Sequence, residues 1–183
     1  MSDADDRLPC AGFLLRPWRA DDVESLQRHA DDAEVSRFLS DRFPYPYTTA
    51  DAAAFLASPA ATGLVRAIEV DGVAVGGIGA QPGQDIFRMT ATIGYWLSRA
   101  YWGRGLMRRA VERWSAHLLT RHPFERLEAR VCVANPASAR VLVHAGFELE
   151  GHQRRAMIKR GEILDVLLYA RLRSPQDGVA DRR

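Results

Sequence analysis

Cysteine is almost missing: Cys10 and Cys132 are the only two in 183 residues, far apart and without CxxC spacing. That scarcity excludes a disulfide framework and a thiolate metal site, and it fits a reducing compartment. Long hydrophobic runs are missing too, since nothing approaches the ~18 consecutive apolar residues that a membrane span needs. The N-terminus carries Asp3, Asp5 and Asp6 where a signal peptide would place basic residues ahead of an apolar stretch. The reading is a cytoplasmic protein with no membrane partner and no metal. Charge of one sign is also not in excess. Lys and Arg number 25 against 23 Asp and Glu, leaving +2, which is too little to argue for a nucleic-acid partner. The local basic cluster Arg154, Arg155, Lys159 and Arg160 reads as a solvated loop and strand edge.

What is present is enough apolar residue, 47% with 9% aromatic, to build one core. Residues 1–12 are acidic and lack periodicity, and 174–183 are polar; both are expected to be unstructured ends around a single domain over 13–173. Phe13–Leu15 reads as a strand stopped by Pro17. Helices are expected from Asp21 with Val23, Leu26 and Ala30 on one stripe, over Ala33–Leu39, and over Ala52–Ala57 capped by Thr49 or Asp51. Leu64–Val70 and Val73–Ala80 flank Asp71-Gly72, a pair suited to a type I′ hairpin turn. Gln81–Phe87 reads as a loop and Arg88–Leu97 as a strand. A helix is expected over Leu106–Leu119, with Leu106, Ala110, Trp114 and Leu118 on one face. Leu127–Val133 alternates as a strand, and Asn135 caps a helix that starts at Pro136 and ends at Gly146. Phe147–Gly151 and Ile163–Leu172 are the last strands. The order is mixed α/β.

The run Tyr101-Trp102-Gly103-Arg104-Gly105 between a strand and a helix carries the chemistry. Its glycines let backbone approach a ligand closely, and free N–H groups at the helix start suit phosphate or pyrophosphate. A P-loop would need Gly-Lys-Ser/Thr, but Leu106-Met107 follow Gly105. Gly77-Ile78-Gly79 lacks the third glycine of a dinucleotide fingerprint.

Ile93-Gly94-Tyr95-Trp96-Leu97, the Trp102–Gly105 turn, and Asn135-Pro136-Ala137-Ser138 with Ala145-Gly146-Phe147 resemble the GNAT superfamily of N-acetyltransferases. The branch is the one that acetylates ribosomal-protein N-termini at serine or alanine. Leu14-Leu15-Arg16-Pro17-Trp18 and Asp165–Ala170 match as well, so the resemblance spans about residues 13 to 173. It implies a mixed, mostly antiparallel sheet flanked by helices, and acetyl-CoA as co-substrate. It places pantetheine and the thioester carbonyl at the backbone of Leu97 and Ser98. Pyrophosphate falls at Trp102, Gly103, Arg104, Gly105, Leu106 and Met107, and Asn135 on the pantetheine region. Ser138 stands where some relatives protonate the departing thiolate. The acceptor is a primary amine: a protein N-terminus, or a small molecule such as an antibiotic, polyamine or amino acid. A homodimer is compatible with the family.

The chain also departs from that pattern. Thr92 stands where many relatives carry a glutamate, Met157 falls near another acidic position, and Ala100 replaces a Gln or Arg before the turn. Glu69, Asp165 and His144 are the remaining base candidates, and none is singled out. An α-amine with pKa near ~8 needs little help to lose its proton, whereas a lysine amine near ~10.4 needs much. A non-catalytic acyl-CoA-binding module is the alternative that the missing carboxylates raise.

Overall fold

The computed structural model describes residues 7–177. Its strands are β1 (Leu8–Cys10), β2 (Phe13–Arg16), β3 (Val65–Val70), β4 (Val73–Pro82), β5 (Thr90–Leu97), β6 (Arg126–Cys132), β7 (Glu148–Lys159) and β8 (Glu162–Leu172). Its helices are α1 (Val23–Ala30), α2 (Ala33–Ser36), α3 (Thr49–Ala57), α4 (Leu106–Arg121) and α5 (Pro136–His144). The strands form one sheet in the order β1-β2-β3-β4-β5-β6-β8-β7. β5 and β6 pair in parallel, and α4 is the crossover that a parallel connection requires. The mixed, mostly antiparallel sheet with flanking helices matches the expected class. The chain divides into two compact units, one running to Gly79 plus Tyr95–Ala110, the other Ala80–Gly94 plus the chain from Val111 onward.

In the first unit β2 pairs with β3 (Leu15 opposite Ile68), and β3 turns into β4 through Asp71 and Gly72. Both turn residues have positive φ, 49° and 82°, as a type I′ hairpin needs. Leu26, Ala30, Tyr47 and Ala52 are buried together, with Trp18, Val23, Phe43, Phe55 and Trp96 packed on them. Arg16, 1% exposed, lies in this unit with both terminal nitrogens on Asp22 at 2.7 Å and its Nε on Glu69. The α3 cap is Thr48, one residue before the expected Thr49. Its hydroxyl accepts from Asp51 N–H at 3.1 Å while the Asp51 carboxylate takes Thr48 N–H at 2.8 Å, a capping box.

In the second unit β6 pairs with β8 through Arg126–Cys132 opposite Val166–Leu172, and β7 pairs with β8. Val111, Trp114, Leu118 and Leu119 of α4 are fully buried, as are Leu127 and Leu142.

Four expectations need correction. Leu8–Cys10 is a strand paired with Phe13–Leu15, although 1–12 reads as unstructured; the antiparallel partner orders it. Pro175–Asp177 form a 3-10 turn, with Asp177 accepting from Ser174 N–H at 2.8 Å and from Arg171 at 3.1 Å. The remaining parts of those end expectations, 1–6 and 178–183, lie outside the described residues. Helix α2 stops at Ser36, short of Leu39. Strand β7 runs on to Lys159 instead of ending at Gly151. Its register shifts between Leu149/Gly151 and Gln153/Met157, and its residues are almost all exposed, so no alternation announces it.

Candidate functional site

Strand β5 ends at Leu97, and a 3-10 turn over Arg99–Tyr101 carries the chain into the glycine turn. Trp102 donates its indole N–H to Leu97 C=O at 2.7 Å and its backbone N–H to Arg99 C=O at 3.1 Å, which fixes the entry to that turn. Gly103 and Gly105 have φ of +74° and +69°, a region closed to most side chains. The helical ladder opens with Arg109 N–H on Gly105 C=O at 3.3 Å, so the N–H groups of Leu106, Met107 and Arg108 precede the first helical bond. Leu106 and Met107 are buried and anchor the helix start by their apolar side chains.

Charge at this helix start runs against habit. Helices favour Asp or Glu in the first turn, but α4 has no acidic residue there and begins Leu-Met-Arg-Arg. Arg104 lies 5.1 Å from the Tyr101 ring, and Arg109 lies 5.7 Å from that of Phe13. Arg109 Nη1 reaches Arg104 C=O only at 3.5 Å, and its Nε is buried without a partner. Open amides, positive dipole end, arginines and an orphaned guanidinium N–H together suit a di-anionic phosphate group. The residues present therefore fit the diphosphate of CoA.

Ser98 has its own partners. Its N–H donates to Val75 C=O at 2.9 Å and its C=O accepts from Tyr101 N–H at 3.0 Å, so its backbone is committed to the sheet and the turn. No amide remains there to polarise a carbonyl. Its hydroxyl lies 3.0 Å from His29 Nδ1. Burial, and then the charge of Arg28, lower the His29 pKa below the usual imidazole value. His29 stands at the end of α1, edge-on to Tyr101, and carried no motif by which the sequence could single it out.

The second unit holds Asn135 and Ser138. Asn135 Oδ1 accepts Ser138 N–H at 3.2 Å, the N-cap that the Asn-Pro pair announces.

The three base candidates are otherwise engaged. Glu69 sits on buried Arg16. Asp165 accepts Arg155 N–H at 2.8 Å and His152 Nε2–H at 2.7 Å, clamping the β7 bulge where Arg155 has φ +54°. Those bonds, the Arg155 amide foremost, hold its carboxyl below the usual range. His144 Nδ1 bonds Arg140 C=O at 2.7 Å on the exposed side of α5. Thr92, in contrast, contacts a carboxylate that the sequence reading passed over: its Oγ1 lies 3.2 Å from Glu128 Oε1 on β6. Among the described residues no group of three or more His, Cys, Asp or Glu is placed to hold a metal, and no helix is long and apolar enough to cross a membrane.

Comparison with known proteins gives the family. Residues 13–148 match the model described as the acetyltransferase (GNAT) domain. A ribosomal-protein-serine acetyltransferase of Escherichia coli is 35% identical over 83 residues, 45% of this chain and 46% of that one. Such matches span about half the length of the curated relatives. A GNAT-family acetyltransferase from Bacillus anthracis superposes with a TM-score of 0.80 at 19% identity, over 91% of this chain and 98% of that one. RimJ of Mycobacterium smegmatis, solved in complex with CoA-disulfide, superposes with a TM-score of 0.76 at 25% identity, over 92% of this chain and 85% of its own. With three quarters of its residues under the family model and the expected sheet in place, this chain belongs to the GNAT acetyltransferase family.

Proposed function

We propose that this protein is a cytoplasmic N-acetyltransferase that moves an acetyl group from acetyl-CoA to the α-amine of a protein or peptide N-terminus, with 13–173 as its working domain. The observation that carries the cofactor half is the start of α4: two positive-φ glycines, unbonded first-turn amides, no carboxylate and the orphaned Nε of Arg109. In this reading the amides from Gly103 to Met107 bind the diphosphate, with Arg104 adding charge and Trp102 holding the turn on Leu97. The amide of Leu97 is assigned to the pantetheine arm, Asn135 to its far end and Ser138 to the departing sulfur. Acetyl-CoA supplies the activated thioester; the chain positions it and handles the proton of the amine.

The acceptor half rests on proton chemistry and on relatives. An α-amine with pKa near ~8 is partly neutral at physiological pH, whereas a lysine amine near ~10.4 is almost all charged. Glu69 and Asp165 are committed elsewhere, so strong base assistance is not on offer from them. The E. coli relative, named for ribosomal-protein serine acetylation, points to the same class of amine. The test follows CoA thiol release over two peptide sets, one with free N-termini and blocked lysines, the other with acetylated N-termini and free lysines. Turnover on the first set and little on the second is expected. Turnover confined to small polyamines or amino acids would overturn the acceptor, and none on any amine would overturn the activity.

A further inference from the structure

His29 and Ser98 form a polar pair within the unit that carries the start of α4. Strand β5 ends at Leu97, whose amide is assigned to the pantetheine arm, and Ser98 follows it directly. The N–H and C=O of Ser98 are held by Val75 and Tyr101, so its hydroxyl is the part left to act. That hydroxyl lies 3.0 Å from His29 Nδ1, and Ser98 is 6% exposed. A serine hydroxyl has one proton to give and two lone pairs to accept with. Given to Nδ1 of the Nε2–H tautomer, that proton leaves a more basic oxygen one residue beyond the strand end. Nucleophiles and relays are activated by a neighbouring histidine in this way.

His29 is the one histidine of this unit; His117, His122, His144 and His152 belong to the other. It stands in the last turn of α1, three residues after buried Leu26 and one before buried Ala30, at the edge of the packed stripe. The carboxylates that follow it are spoken for. Asp31 accepts Tyr47 N–H at 2.9 Å, and Asp32 accepts Glu34 N–H at 2.8 Å and pairs with Arg99 at 2.9 Å. The Tyr101 ring meets His29 edge to face at 5.9 Å, and Arg104 lies 5.1 Å from that ring. The charges that border His29 are therefore Arg28 on its own helix and the Arg99–Asp32 pair between the turn and α2. Burial first, and then Arg28, favour the uncharged ring, the form able to accept a proton. Once formed, the imidazolium stands at the negative end of the α1 dipole.

We infer that His29, through the Ser98 hydroxyl, receives the proton that the acceptor amine sheds. The inference rests on the proposed acetyl transfer, with the thioester at the end of β5. The amine nitrogen bonds the acyl carbon and the C–S bond breaks, its electron pair leaving on sulfur. The nitrogen's proton passes to Ser98 Oγ as the Ser98 proton passes to His29 Nδ1. The thiolate takes a proton from water, and His29 returns its own to water. A weak base of this kind suits an α-amine better than a lysine, whose ammonium has to be stripped before attack.

The test measures kcat on an N-terminal peptide against pH, and CoA affinity by calorimetry, for wild type, H29Q, S98A and S98T. Wild-type kcat is expected to fall along an acid limb lying below the ordinary imidazole range, because protonating His29 removes the acceptor. H29Q and S98A are each expected to lower kcat by about 100-fold and to abolish that limb, with CoA affinity within about twofold. S98T, with a hydroxyl returned, is expected to recover about tenfold of the S98A loss. H29Q or S98A turning over within about threefold of wild type would overturn the assignment. So would an acid limb that survives in H29Q, or a kcat loss matched by an equal loss of CoA affinity. S98A and S98T leave α1 untouched, so they decide the matter even if H29Q fails to fold. Wild-type protein inactive on every amine would instead sink the acetyltransferase reading, so the two failures are distinguishable.

Discussion

A guanidinium removed from water costs several kcal/mol unless its donors are satisfied, and Arg16 meets that demand through Asp22 and Glu69. Removing one partner strands the charge. Asp22→Ala is therefore expected to lower unfolding free energy by about 3–5 kcal/mol, read by urea denaturation. A loss within the scatter of surface mutations would show that Arg16 relaxes to solvent. The same pairing engages Glu69, and nothing in the local pattern of β3 says which charge a distant strand will bring to it. Asn135 is the opposite case. Its capping role was legible because Asn before Pro acts within three residues, on Ser138 N–H. Two contacts, His29 with Ser98 and Thr92 with Glu128, each join residues far apart in the chain, 69 and 36 positions, and were invisible for that reason.

At the scale of elements, the strand–turn–helix unit was readable because its signals are local: positive-φ glycines, then apolar i, i+4 spacing. Helix α4 starts at Leu106 as expected. Gly105→Val puts a β-branched residue at φ +69° and a Cβ 3.3 Å from Arg109 Nη1. We expect CoA affinity to fall about tenfold or more by calorimetry, roughly the 1–2 kcal/mol of a left-handed non-glycine residue, with helix content by circular dichroism unchanged. An unchanged affinity would remove the turn from the cofactor site. Strands β1 and β7 were the elements misread, and both depend on a partner strand. β1 has three residues, too few for a period, and β7 breaks its own period at two register shifts.

At the scale of the whole molecule, the mixed sheet was legible from element order, since hairpin, crossover helix and closing strands each announce themselves. The two compact units were not, because a division by spatial contact cuts through β4, β5 and α4 without any change of composition. The account's central claim is that acetyl-CoA is held by the start of α4. A crystal structure of the protein with CoA tests it most directly. The diphosphate oxygens should lie within hydrogen-bond distance of the N–H groups from Gly103 to Met107, with Arg109 Nε no longer without a partner. CoA bound with its diphosphate anywhere else would contradict the account.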